Sequence, residues 1–530
     1  MPSVLEAPSA QKLVETLEEY LATHPAAALL EDGRLLFDMR LARYAVTESH
    51  GRCLLQLWSE EHNLLRTVLE IQPRGQSLRV MTRRMGAPKP QALELVPNSD
   101  RRTPTARDSA RRSYQRLLER VLTRSLMGAK VDGFRTAMDL EHSFGPAYIR
   151  GRLLRGTAAD AVIGVAESES AATIDGILTL GILWLNYCRE NSEDRRHFGG
   201  LKVIVPAGMS RITAERMAWL NHSAADFQLY TLDERSEDLE PVDFRDSGNQ
   251  TARLVRAFSP EAALERCRTG IDRIAELLPP EAKSRVEICA RSATEVALLV
   301  HGLEFARVRS AASSHSFGMQ EEITFGAGAN ETPLNLETEN LCRELCARLI
   351  LSRHRAGTHR DALFRMQPER WLESEFRAGL AELLPYLRDD VLYSQVPALS
   401  SGDRGMLDLL TLDRKGQLVV IELKADEDLH LPMQALDYWI RVRALNADRR
   451  RTSAGDRPLS AFEREGYFPG SEVSEFPPRL ILAAPALRIH PANLPVLRYF
   501  SAEVDWDLIA LSEHWRNELK IVFRKRRSTD

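Results

Sequence analysis

Long apolar runs are missing from this sequence of 530 residues. The most hydrophobic stretch, Ile174 to Leu185, reaches roughly half of the ~20 residues that a bilayer-spanning helix needs, and it contains Asp175, Gly176 and Gly181. No membrane span is expected. The N-terminus meets acidic residues where a signal peptide needs a basic start and an apolar core, which points to a cytoplasmic protein with no membrane partner. Cysteine is sparse too: six residues without a C-x-x-C pair read as buried free thiols, not as a zinc site. Bulk positive charge is absent, since 71 Lys and Arg stand against 75 Asp and Glu for a formal charge of −4. A polycation that coats nucleic acid by charge alone is thereby excluded. Neither G-x-x-x-x-G-K-[ST] nor H-E-x-x-H occurs, so a P-loop motor and a zincin protease lose their usual signatures. His197, His315, His354 and His359 lack ligand spacing and read as ordinary polar histidines.

With 44% hydrophobic and 28% charged side chains, the chain has the make-up of a multidomain globular protein. Its expected class is α/β, with an α+β multidomain organisation. Residues 1–100 open with an amphipathic helix at 10–24. A β-meander follows, punctuated by Asp32-Gly33, His50-Gly51 and Arg74-Gly75. Residues 101–250 begin with a basic helix, Arg101 to Arg124, whose eight arginines face only Asp108 and Glu119, while Leu117, Leu118, Val121 and Leu122 form its apolar stripe. From Tyr148 to Leu232 the pattern is β-β-α-β-α-β, an α/β layer. Residues 251–360 alternate a helix (Pro260 to Leu278), a hairpin, a strand (Glu322 to Phe325) and a second helix (Leu336 to Arg355) as a connecting region. Residues 361–530 form the last domain, and the terminal Arg524-Lys525-Arg526-Arg527 reads as a solvated tail.

The chemistry-bearing residues lie in that last domain. Pro368 to Leu384 reads as a helix with Leu372, Phe376, Leu380 and Leu383 on one stripe and Glu373 at its edge. Two strands follow, MLDLLTL and QLVVIELKA. If their loop is Arg414 to Gly416, with glycine in the left-handed position, Asp413 pairs with Gln417 and Asp408 falls opposite Glu422. Side chains alternate along a strand, so Glu422 and Lys424 share the face of Asp408 while Val419, Ile421 and Leu423 take the other. Both faces are otherwise apolar, as in strands covered on both sides by helices. Two facing carboxylates there repel and lose hydration, which raises a pKa or calls for a cation. Their oxygens are the hard donors that Mg²⁺ or Mn²⁺ prefers. The next helix, from Leu431-Pro432, carries Gln434 and Tyr438 one turn apart on one face. Strand, helix and strand then complete an α-β-β-α-β-α-β core.

Glu373, the Asp408 and Glu422-Leu423-Lys424 signature, and the Gln434-Ala-Leu-Asp-Tyr438 helix together resemble the PD-(D/E)XK nuclease superfamily, specifically its RecB-like branch with a Q-x-x-x-Y motif. The resemblance spans roughly residues 361 to 530, and Leu407 stands where the family name advertises proline. It implies a restriction-endonuclease-like fold in which Glu373, Asp408 and Glu422 bind Mg²⁺ or Mn²⁺, Lys424 assists the attacking water, and Gln434 and Tyr438 support the site and contact DNA. Glu369 and Glu375 share the helix of Glu373 and stay open as alternatives for the first acid. The implied activity is metal-dependent hydrolysis of DNA phosphodiester bonds, with nucleic acid as partner. A homo-oligomer and a separate ATPase subunit remain open as further partners. The alternatives are a nuclease fold retained as a binding or regulatory module without turnover, and an effector that cuts RNA. In the central layer, Asp160 to Glu169 ends in Glu167-Ser-Glu169 and precedes a helix and a strand. This order is similar to that of the last domain, so the layer could be a degenerate copy without a catalytic lysine.

Overall fold

A computed structural model describes residues 9–527 apart from 26, 32–33, 40–41, 50, 59–62, 75–76, 85–89, 97–103, 140, 193–195, 247–251, 313–318, 329–331, 401–402, 452 and 454–456. His315 and the first arginines of the basic helix lie outside the described residues. The chain divides into two compact units, Met1–Arg112 and Ser113–Asp530. The division falls inside the helix Pro104–Ser125, not at residue 100, because Tyr114, Leu118, Val121 and Leu122 on its apolar stripe are buried against the central sheet.

In the first unit, a seven-stranded antiparallel sheet carries the helix Ala10–Thr23. Leu13, Leu17 and Leu21, spaced one turn apart, bury one stripe of that helix against Val46, Leu55 and Val80. Ser9 caps its start by accepting from the Lys12 N–H.

The second unit holds three sheets. Residues 286–333 form a five-stranded antiparallel sheet, covered by the helices Pro260–Arg266, Arg268–Leu277 and Glu339–Ser352. The single helix expected over Pro260 to Leu278 is broken at Cys267, which ends one segment and starts the next. Arg353 ties this sheet to the last domain: fully buried, it donates to the carbonyls of Val300, His301, Leu363 and Met366 and lies 4.6 Å from the Trp371 ring. Gly302 makes the approach possible. A Cβ at its φ of +73° would stand 2.0 Å from the Arg370 carbonyl oxygen.

The other two sheets share one topology. The central strands Lys130–Arg135, Tyr148–Arg155, Ala158–Val165, His197–Pro206, Asp226–Asp233 and Asp238–Val242 run antiparallel, antiparallel, parallel, parallel, antiparallel to their successive neighbours. In the last domain Tyr393–Ser400, Asp403–Leu412, Leu418–Leu423, Arg479–Pro485, Asp505–Leu511 and Ile521–Arg526 repeat that series. Helices sit at matching places: Ile177–Glu190 and Leu431–Ala447 after the third strand of each set, Arg211–Met217 and Asn493–Leu497 after the fourth. The two layers meet through these helices in one continuous core, and the contacts are reciprocal. Asn221 N–H donates to the Tyr499 carbonyl (2.7 Å) and Ser501 N–H to the Trp219 carbonyl (2.8 Å). Arg443 lies 4.3 Å from the Trp219 ring while Arg189 donates to the Tyr499 hydroxyl at 2.9 Å. Such i-to-j, j-to-i pairing is the mark of an isologous interface, here within one chain.

Three expectations for the last domain change. The strand Tyr393–Ser400 is additional to those read from the sequence, so three antiparallel strands precede the helix Leu431–Ala447. Pro397 disguises it, and it is tolerated because the next strand outward is only Arg253–Leu254. The first helix ends at Ala378 and resumes after Gly379. The basic tail is the edge strand Ile521–Arg526, in which Arg524 and Arg526 pair with buried Asp507. Among the described residues no helix is long and apolar enough to cross a membrane.

Candidate functional site

The hairpin sets the site's geometry. Asp413 N–H donates to the Gln417 carbonyl at 2.9 Å, and Gly416 takes φ +79° to close the turn. The register then runs Leu412–Leu418, Thr411–Val419, Leu410–Val420 and Leu409–Ile421, so Asp408 stands in line with Glu422. At that step the ladder opens: the Leu423 N–H turns to the Asp408 carboxylate at 3.0 Å instead of to the facing strand. Beyond it Leu418–Leu423 stays paired to Arg479–Pro485, and the Lys424 N–H reaches the Ala483 carbonyl at 3.0 Å. The acids therefore occupy the fork where two strands part.

Apolar layers enclose the fork. Trp371, Leu372 and Phe376 pack with Val419, Ile421 and Leu423 on one face; Leu436, Trp439 and Val442 pack with Leu418 and Val420 on the other. Glu422 is 3% exposed, and its Oε2 is buried with no hydrogen-bond partner. Burial first, and then the Asp408 carboxyl within hydrogen-bonding reach, push its pKa well above the usual carboxylate range. Glu373 is likewise raised, by burial and then against the pull of Arg370, whose guanidinium lies 3.0 Å away. Lys424 lies 3.5 Å from Glu369 and 3.9 Å from Asp428. Its own burial favours the neutral amine, but Glu369, Glu422, Asp428 and Asp408 outweigh it and hold the ammonium above its ordinary pKa. A protonated amine donates hydrogen bonds and neutralises charge; it is not a resting base.

The first helix presents three acids, and the structure separates them. Glu375 is turned away, bound to His301 (3.0 Å), Arg355 (3.0 Å) and the Trp371 indole (3.2 Å). Glu369 reaches Lys424. Glu373 reaches Asp408 through a residue that sequence reasoning missed: the Gln395 amide donates to Glu373 at 3.0 Å and to Asp408 at 3.3 Å. Gln395 lies in the unrecognised strand, level with Asp408 between the pairs Ser394–Leu409 and Val396–Leu407, and its φ of +53° is rare for a non-glycine residue inside a strand. The signal available in the sequence was the polar Ser394-Gln395 step within an otherwise apolar register. On the helix Leu431–Ala447, Gln434 and Tyr438 are half-buried. Burial first, and then the charges of Glu422 and Asp408, raise the Tyr438 hydroxyl far above its ordinary pKa.

Among the described residues no three His, Cys, Asp or Glu side chains form a ready metal cluster. The Gln395 amide links Glu373 to Asp408 and holds both carboxylates in place. A pair suffices for Mg²⁺, which usually takes one or two carboxylates and keeps several waters. Asp408 with Glu422, one of whose oxygens is buried without a partner, fits that donor set.

No family model matches the chain, and no curated protein does.

The central layer offers an internal comparison instead. Aligning the layers on the parallel pairs Arg479–Asp505 and Gly200–Asp226 puts Ile163 where Glu422 stands, its partner Arg150 where Asp408 stands, and Val165 where Lys424 stands. Arg150 is fully buried, 4.2 Å from the Phe144 ring. Glu167 and Glu169 fall in the turn after the strand.

Proposed function

We propose that the last domain is a metal-dependent nuclease of the PD-(D/E)XK type, hydrolysing phosphodiester bonds of DNA. The observation that carries this reading is the in-register Asp408–Glu422 pair at the strand fork, with one Glu422 oxygen buried and unpartnered and Lys424 following two residues along the chain. Asp408 and Glu422 would hold Mg²⁺ or Mn²⁺, with Glu373 completing the set from the far side of Gln395. The ion supplies charge neutralisation at the phosphate and a more acidic water. Lys424, as an ammonium, orients the attacking water and balances charge on the phosphate oxygens. Gln434 and Tyr438, one turn apart on the helix Leu431–Ala447, would contact the nucleic acid. The central layer is read as a copy of the same fold that has lost its acids to Arg150 and Ile163, leaving one competent site per chain.

The test is nicking or degradation of plasmid and linear DNA with Mg²⁺ or Mn²⁺, with RNA alongside. Cleavage by the wild type that Asp408→Ala and Lys424→Ala abolish supports the reading; undiminished cleavage by those variants rejects it. RNA cut in place of DNA moves the substrate and keeps the chemistry. One observation favours the second reading, a binding module without turnover: the internal hydrogen bonds of Gln395 already satisfy part of Glu373 and Asp408. Isothermal titration with Mn²⁺ and a DNA shift assay separate the two, because DNA retention without metal uptake belongs to the module.

A further inference from the structure

A cleft of about 630 Å³ opens between the five-stranded sheet of residues 286–333 and the strand Tyr393–Ser400. Its charged lining is one-sided: Arg256, Arg291, Arg307, Arg370 and Arg377 against Glu295 and Glu304, in a chain whose overall charge is negative. The two glutamates are engaged by Arg291 and Arg307. Arg256 is exposed and makes no hydrogen bond or ion pair among the described residues, and the Arg377 Nε is buried without a partner. The same walls carry large apolar side chains left open to water, Val255, Ile288 and Met406 at 45%, 46% and 43% exposure. The cleft ends at residues that hold the carboxylates. Gln395 and Arg370 line it, and these two residues hold Glu373, with Gln395 also touching Asp408.

Arginines alternating with exposed apolar surface in one groove suit a ligand that is anionic along its backbone and apolar on its branches. A duplex shows phosphates on a convex outer face and keeps its base faces stacked inside, where Val255, Ile288 and Met406 cannot meet them. An unpaired strand shows both. The volume has room for about two nucleotides, within the ~300–1,000 Å³ of small-ligand sites.

We infer that this cleft seats single-stranded nucleic acid, its phosphates against Arg256 and Arg377 and its bases against Val255, Ile288 and Met406, and leads the strand to the Asp408–Glu422 fork. The delivery step rests on the hydrolytic reading above; the binding step does not. The experiment is fluorescence anisotropy of the full chain carrying Asp408→Asn, in EDTA, with fluorescein-labelled oligo-dT, oligo-rU and a DNA duplex of equal length. Expected is at least tenfold tighter binding of a single strand than of the duplex, with the dT and rU arms showing whether DNA or RNA is preferred. Arg256→Glu and Ile288→Asp, both at exposed positions, each weaken single-strand binding about tenfold with unchanged thermal unfolding, whereas Lys520→Glu, outside the cleft, does not. Arg256→Glu also flattens the salt dependence by about 0.7 in log K against log salt, the share of one lost contact to a single strand. Duplex bound as tightly as single strands, or both cleft variants binding as the parent does, overturns the proposal. A protein that binds single strands in this way yet, with Asp408 intact, cuts nothing with Mg²⁺ or Mn²⁺ supports the cleft and refutes the hydrolytic reading.

Discussion

Glu422→Gln should stabilise the protein while removing its proposed activity. Glu422 has one oxygen buried without a partner and faces the Asp408 carboxyl. An unsatisfied buried acceptor costs about 1–3 kcal/mol, and the glutamine amide turns an acid-to-acid contact into a donor-to-acceptor one. At neutral pH without metal, the variant should therefore gain about 1–3 kcal/mol in urea unfolding followed by circular dichroism. The pH dependence gives the sign. A carboxyl whose folded pKa is raised contributes stability that is fully present below its ordinary value of 4.5 and is lost as pH rises through the folded value. The wild type should weaken over that rise and the variant much less, so the two curves converge at acid pH. Divalent ion should reverse the order: Mn²⁺ at a hundred times its dissociation constant adds about 2.7 kcal/mol to the wild type, and little to the variant. A variant that is less stable than the wild type at every pH, or that gains as much from Mn²⁺, refutes the reasoning.

Gln395→Ala removes the amide between Glu373 and Asp408, and it should lower cleavage or Mn²⁺ affinity about 10–100-fold, as measured by turnover and calorimetry. Glu375→Gln should leave cleavage unchanged because that acid serves His301 and Arg355, while Glu373→Gln reduces it; equal losses would contradict the division of roles. Arg216→Ala breaks the bidentate bond to Asp437 (2.8 and 2.7 Å) that joins the two similar layers. The expected loss in urea unfolding is about 2–3 kcal/mol, below the ~3–5 of a fully buried pair because Asp437 is 22% exposed. Gly416→Ala should cost about 1–2 kcal/mol or more, since its φ is +79° and the new Cβ would stand 2.4 Å from the Glu472 carbonyl oxygen.

The hairpin register was legible because local rules determine it: loop length, a glycine able to take positive φ, and alternation together put Asp408 opposite Glu422. The resemblance of the two layers was half legible, through element order; their reciprocal contacts through Trp219, Tyr499, Arg189 and Arg443 depend on pairing across some 280 residues that no local pattern encodes. Gln395 escaped for two reasons. Its strand contains Pro397 and the polar Ser394-Gln395 step, which interrupt the apolar pattern of a buried strand, and its positive φ is one that no glycine or asparagine announces. The arginine-lined cleft was invisible for a similar reason, since Arg256, Arg291 and Arg377 come from three separate segments and only the folded chain gathers them.

The most direct measurement is anomalous diffraction from crystals soaked in Mn²⁺. The account predicts one strong anomalous peak within bonding distance of carboxylate oxygens of both Asp408 and Glu422, absent from Asp408→Asn crystals. A peak elsewhere with the fork empty, in a protein that cleaves DNA, would contradict it.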